Sequence, residues 1–265
     1  MSMSLHRPVA VFDAGIGSYA IVAEIHKAFP RQDILYFADR ASFPYGGKGR
    51  EQLLAIMRRT IAFLGRYEPA AIVIASNAPS IMVLDELQRD PGPKLFGVHP
   101  PLGAALSQTR SGRVGIMGVK SLIESPMLVR FVATHATNPD QVALINASPM
   151  VELVENGSFL FDPAGTQRLV SAFMEEVRDR HPDTDVLTLS STHLPWLASF
   201  FAAACPDCAF IDPAQDIVAA LTPEQGGSGR IMGLVTESEH YGIAAFKAML
   251  DRLGINIPLH AVTVT

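Results

Sequence analysis

Two short stretches of this chain end in side chains able to take or give a proton. Ala71–Ser80 (AIVIASNAPS) runs from apolar residues into Ser76-Asn77, and Asp185–Trp196 (DVLTLSSTHLPW) runs from another apolar segment into Ser190-Ser191-Thr192-His193. A serine hydroxyl is scarcely ionised near neutrality and acts only with a base beside it. In open α/β sheets ligands are met just beyond the carboxyl ends of strands, where both hydroxyl groups stand. Two matched strand ends in different halves of one chain predict a site shared between two similar lobes. Each residue also has an ordinary reading. Ser76 alone reads as a helix N-cap, with Pro79 at an early helical position. His193 alone reads as a satisfied histidine, Glu152 and Glu155 as an exposed helix face, and Tyr45 as a packing aromatic. Their joint occurrence promotes the chemical reading.

Glycine clusters flank these stretches. Asp13-Ala14-Gly15-Ile16-Gly17-Ser18 follows the apolar strand Val9–Phe12 and leads into a helix with Ile21, Val22, Ile25, Ala28 and Phe29 on one face and Ser18 as its expected N-cap. A strand, a glycine turn and a helix form the shape that holds anions on free backbone N–H groups. The third glycine of a dinucleotide fingerprint is missing, so a small carboxylate is expected rather than a pyrophosphate. Pro44-Tyr45-Gly46-Gly47-Lys48-Gly49 reads as a non-helical loop that either touches ligand through its backbone or merely turns the chain.

The elements that must carry these groups alternate. Strands are expected at Ile34–Phe37, Ala71–Ala75, Lys94–Val98, Val114–Val119, Val142–Ile145, Asp185–Leu189, Ala209–Ile211 and Ile231–Val235. Helices are expected from Arg50, from about Ile123, near Thr166–Arg178, from Pro195 and at about Tyr241–Leu250. Continuous apolar runs rather than alternating ones mark strands buried on both faces. The alternation predicts an α/β fold of two parallel-rich lobes. His99-Pro100-Pro101 is the expected crossing, giving one lobe of 1–99 plus about 213–265 and a second of about 100–212.

Composition narrows the function. With 48% apolar and 18% charged residues the chain is globular, and a net charge of −5 without a basic run argues against nucleic acid or an anionic membrane as partner. No apolar stretch reaches the length of a membrane span and the first residues show no signal-peptide core, so a cytoplasmic location is expected. The two cysteines, Cys205 and Cys208, form a single C-x-x-C. Lacking a second pair for zinc and a strand–C-x-x-C–helix context, they read as small residues in a loop between a helix and a strand.

Taken in order, VFDAGIGS, FPYGGKG, VIASNAPS, VELVENG and LSSTHLPWL resemble the motifs of the glutamate racemase family, within the cofactor-independent aspartate/glutamate racemases. The resemblance covers nearly the whole chain. It implies two lobes related by a pseudo-twofold axis, a cleft between them that takes a small acidic amino acid or dicarboxylate, no cofactor or metal, and pairing into a homodimer. It implies that Asp13 supports proton transfer and that Pro44, Tyr45 and Gly46 contact substrate through backbone. Asn77 and Thr192 would bind substrate, and His193 and Glu155 would support the second side. The family's two catalytic thiols fall on Ser76 and Ser191. Its usual Ser, Thr and Gly fall on Ala14, Ala78 and Ser190. The loss of hydroxyls at Ala14 and Ala78, both expected at the substrate, should alter or relax specificity. These extra changes point to divergence rather than to a simple exchange of two thiols.

Cysteine suits cofactor-free racemisation because its pKa of about 8.5 is easily lowered toward neutrality. Neither serine has that property, and losing one well-placed acid–base group costs about 10²–10⁴-fold. A weak or altered racemase is therefore expected. A carboxylate-binding regulatory protein and a lyase or decarboxylase of the same superfamily are the alternatives.

Overall fold

The computed structural model describes residues 5–224 and 226–264. Among the described residues ten strands form two wholly parallel sheets: β1 (Val9–Asp13), β2 (Ile34–Asp39), β3 (Ala71–Ile74), β4 (Lys94–Gly97), β5 (Val114–Gly118), β6 (Val142–Asn146), β7 (Val186–Leu189), β8 (Ala209–Ile211), β9 (Ile231–Thr236) and β10 (Leu259–Ala261). The first sheet has the order β10-β9-β2-β1-β3-β4 and the second β6-β5-β7-β8. The run β2-β1-β3-β4 is repeated by β6-β5-β7-β8, so both sheets share one topology. In each, the chain leaves the founding strand to one side and then returns to the other. The crevice of the first sheet lies at the carboxyl ends of β1 and β3, and that of the second at the ends of β5 and β7. These are the switch points where α/β sheets bind ligands.

The strands at these switch points are buried on both faces, as their apolar runs imply. Val9 and Val11 of β1 face one cluster with Ile21, Val22 and Ile25 of the helix Tyr19–Ala28. Ala10 and Phe12 face the other, with Leu53, Met57 and Leu64 of the helix Arg50–Gly65. A strand packed this way cannot slip by one residue without exchanging its two faces, which fixes Asp13 at its tip. After β8 the chain returns to the first sheet, where β9 pairs with β2.

Several local expectations are corrected. The helix expected from Ile123 is two pieces, Lys120–Ile123 and Pro126–His135. The second starts at Pro126 because the Ser125 hydroxyl accepts the Met127 N–H. The loop expected at Pro44–Gly49 holds a 3-10 turn, Tyr45–Gly47, a geometry that glycines tolerate in short pieces. Ser18 does not cap a helix with its side chain. A 3-10 turn, Ile16–Ser18, precedes the helix and the Ser18 hydroxyl donates to the Gly15 carbonyl at 3.3 Å. Cys205 and Cys208 lie in the expected helix-to-strand loop, between Ala198–Ala204 and β8, but are joined as a disulfide.

Candidate active site

Ser76 follows β3 in extended conformation and is the N-cap residue of the helix Asn77–Met82, with Pro79 in its first turn as expected, but its side chain makes no capping hydrogen bond. The Ser80 hydroxyl donates back to the Ser76 carbonyl at 2.7 Å and accepts the Val98 N–H at 2.9 Å, tying the start of this helix to the residue after β4. Asn77 donates its Nδ2 to the Val98 carbonyl at 3.1 Å, leaving Oδ1 buried without a hydrogen-bond partner in the protein. Across the molecule, Ser190 and Ser191 follow β7 in the equivalent position. Ser190 is buried, its hydroxyl 2.7 Å from that of Thr188.

Both strand ends open onto one cavity of about 30 Å³, lined by Asp13, Ala14, Pro44, Tyr45, Gly46, Ser76, Asn77, Ala78, Ser190, Ser191 and His193, with Phe43, Val119 and Val151 completing the wall. That volume has room for little more than a water molecule. Ten of the twelve residues singled out from the sequence line it. The other two, Thr192 and Glu155, stand behind it. Thr192 donates its hydroxyl to Asp13 Oδ2 at 2.9 Å, and Glu155 receives His193 Nε2 on its Oε2 at 3.1 Å. Tyr45 is fixed through its hydroxyl, which donates to Asp39 at 3.0 Å, and Asp39 also accepts the Thr236 hydroxyl. Gly46 lies where a Cβ would press on Val119 of the second sheet's crevice.

The glycine turn after β1 holds an anion, but the anion belongs to the chain. Ile16 N–H donates to Glu155 Oε2 at 3.1 Å. A Cβ at Gly15 would collide with the Glu155 carboxylate, and one at Gly17 with the His193 ring. One N–H of this turn is thus taken by a carboxylate of the chain itself. The glycines clear space for the Glu155–His193 pair.

Arg40, which sequence reasoning passed over, completes this pair. It follows β2 directly, is only 2% exposed, and its guanidinium is ion-paired to Glu155 Oε1. Its charge lies over the rings of Tyr241 and Phe246, at 5.5 and 4.8 Å from their centroids. The signal was present: Asp39-Arg40 is a pair of charges at the carboxyl end of an apolar strand, where ligand groups collect. The expectation of an exposed helix face at Glu155 is also corrected, since Glu155 is buried.

Electrostatics differ on the two sides. Burial pushes the Asp13 carboxyl up from the ordinary carboxylate range, against the pull of the His193 charge, the Ala14 N–H and the Thr192 and Ser76 hydroxyls. Burial also works against a charged Glu155, but the His193 hydrogen bond and charge, then Arg40 and the Ile16 N–H, outweigh it and hold that carboxyl low. For His193 burial disfavours the imidazolium, yet Glu155 and then Asp13 raise its pKa, with Arg40 pulling the other way. The cavity therefore offers a carboxyl inclined to take a proton and an imidazole inclined to hold one. Among the described residues no group of three or more His, Cys, Asp or Glu could hold a metal ion, and no helix is long and apolar enough to cross a membrane.

Comparison with known proteins decides the family. A glutamate racemase from Thermus thermophilus is 32% identical across 93% of this chain and 92% of its own. The chain belongs to the glutamate racemase family. The same fold is seen in the solved structure of the Thermus thermophilus glutamate racemase in complex with β-chloro-D-alanine, with a TM-score of 0.79, 29% identity and 97% of each chain covered. A glutamate racemase isoform from Bacillus anthracis shares the fold at a TM-score of 0.83 and 23% identity, over 98% of each chain. No family model matches the sequence. The expected resemblance and the two-lobed parallel α/β fold are borne out, and the family's members are isomerases.

Proposed function

We propose that this chain is a cofactor-independent isomerase of small acidic amino acids. It moves the α-proton between opposite faces of the substrate, at altered efficiency because hydroxyls stand at both thiol positions. The supporting observation is that Ser76 and Ser191, from equivalent ends of two sheets, share one buried cavity with Asp13 and His193. In this reading the α C–H bond breaks toward Ser76, whose own proton passes to Asp13. A new C–H bond forms on the other face from Ser191, which is resupplied by protonated His193. Between the two events the negative charge is delocalised into the substrate carboxylate. The cycle leaves Asp13 protonated and His193 neutral, ready for the reverse direction. The substrate ammonium donates to the unpartnered Asn77 Oδ1, the segment Pro44–Gly46 supplies backbone contacts, and Thr192 holds Asp13 in place. Glu155 orients His193. The small walls at Ala14 and Ala78 shape specificity.

The same proposal divides the chain into lobes of 1–99 plus about 213–265 and about 100–212, with the cavity between them, and assigns it a homodimeric state in the cytoplasm. Light scattering of the purified chain reads the dimer, and a monomeric mass at micromolar concentration removes that part. The activity is tested by proton NMR in D₂O with both enantiomers of glutamate and of aspartate. Slow α-proton loss is expected, falling further in Ser76→Ala and Ser191→Ala. No exchange at any pH with any of the four overturns the reading.

A further inference from the structure

A buried cation stands behind His193, outside every proton-transfer step of the proposed cycle. Arg40, Glu155 and His193 come from three separate elements: the turn after β2, the helix Ser148–Glu155, and the loop after β7. They form a line in which Glu155 gives Oε1 to Arg40 and Oε2 to His193 and the Ile16 N–H. We propose that Arg40 is a positioning residue for proton transfer at His193: its fixed charge satisfies Glu155, so the imidazole can become neutral without stranding a buried carboxylate.

The reason lies in charge balance. Without Arg40, Glu155 and His193 would be a lone buried pair, balanced as carboxylate and imidazolium. Loss of the imidazole proton would leave an uncompensated carboxylate in a low-dielectric interior, which is strongly disfavoured. The proton would be locked on His193. With Arg40 present, carboxylate and guanidinium balance, and His193 is free to cycle. Arginine suits the place because it stays charged at every working pH, is weakly hydrated and stacks on aromatic faces, as it does on Tyr241 and Phe246. The other titratable groups facing the cluster are Asp13 at the tip of β1, which favours the imidazolium, and the Tyr36 and Tyr241 phenols, both held neutral by burial. None of these supplies a second fixed cation.

This inference rests on His193 as a proton-transfer group, so its test reads the imidazole itself rather than turnover. The His193 ring nitrogens are followed by ¹⁵N NMR titration in the intact chain and in Arg40→Met. The midpoint is expected to rise by about one pH unit or more, a tenfold or larger shift in the protonation equilibrium, and to return toward its original value in Arg40→Lys. An unchanged or lowered midpoint in folded Arg40→Met overturns the proposal. Should that variant fail to fold, Glu155→Gln is compared with Glu155→Gln/Arg40→Met, where no ion pair is left to break. Arg40 alone then faces the imidazole in the first, so its midpoint should lie below that of the second. Equal midpoints overturn the proposal. Where α-proton exchange is measurable, its pH profile should shift with the NMR midpoint. A shifted midpoint without any exchange would leave this role standing while removing the racemase reading.

Discussion

The two sides of the cavity are built on the same strand topology but solve the problem of supporting a hydroxyl differently. Beside Ser76 stands a single carboxyl, Asp13, held by its neighbour's N–H and by the Thr192 and Ser76 hydroxyls. No fixed cation compensates it, and burial leaves it reluctant to be charged. Beside Ser191 stands a three-residue chain of alternating charge that ends on a buried arginine. The equivalent hydroxyls of a repeated fold are thus backed from non-equivalent places, Ser76 by Asp13 at the tip of β1 and Ser191 by His193 two residues further along its own loop. The lesson is that topology fixes where acid–base groups stand, while the residues behind them fix which protonation state each prefers.

Restoring the thiols gives the largest expected effect and probes both sides at once. Each of Ser76→Cys and Ser191→Cys should raise α-proton exchange by about 10²–10⁴-fold, and the double variant by more than either. If only one responds in the NMR assay, the two sides are not equally competent, and the silent one has been redirected by the changes at Ala14, Ala78 or Ser190.

Removing the supporting carboxyls should separate the sides by stability. Glu155→Gln leaves Arg40 buried without its counter-charge and should cost about 3–5 kcal/mol, read by urea unfolding. Asp13→Asn removes a carboxyl that burial already disfavours, so it should change stability by less than about 1 kcal/mol while exchange falls about 10²-fold or more. Equal destabilisation by the two would contradict the contrast drawn between them.

A smaller effect is expected at the glycine turn. Gly17→Ala places a methyl group against the His193 ring, an overpacking that should cost about 1–3 kcal/mol. It should perturb His193 more than Asp13, which NMR resolves.

The smallest expected effect is on the pH dependence of stability. The Glu155 carboxyl is held below its ordinary value, so its contribution is present above the usual glutamate range and is lost as pH falls through its folded pKa. His193 is raised, so its contribution is full below the ordinary histidine value and fades as pH rises through its folded pKa. Asp13 is raised too. Its protonated form is the one folding favours, so its charge erodes stability as pH rises above the usual aspartate range. Unfolding midpoints across pH should show an acid limb that Glu155→Gln flattens and Asp13→Asn does not.

Much of this was legible in the sequence because the decisive strands have no polar face. AIVI of β3 and VLTL of β7 are buried throughout, and a run without alternation has few other readings. Ser76 and Ser191 could be found from position alone, as hydroxyls just beyond those runs. β10, with the residues LHA, was not legible, since it is short and largely exposed and exists by pairing with β9. Arg40 was not read because an arginine after a strand ordinarily points into water. Its burial depends on Glu155, 115 residues away, and on rings near the far end of the chain. Glu155 was found only through the family resemblance, since its helix spacing alone describes a solvated face. Thr192 was legible as a member of the site, whereas the commitment of its hydroxyl to Asp13 depends on two sheets meeting.

The water-sized cavity carries a kinetic consequence. On the proposed reading an amino-acid substrate needs more room than the water-sized space between Ser76 and Ser191, so the walls from the two sheets are expected to part on binding. Passage in and out then depends on collective hinge displacement, on the microsecond-to-millisecond scale usual for domains. Added sucrose or glycerol should slow a thiol-restored variant in proportion to solvent viscosity, while the hydroxyl form, limited by its poor acids and bases, should be indifferent to it.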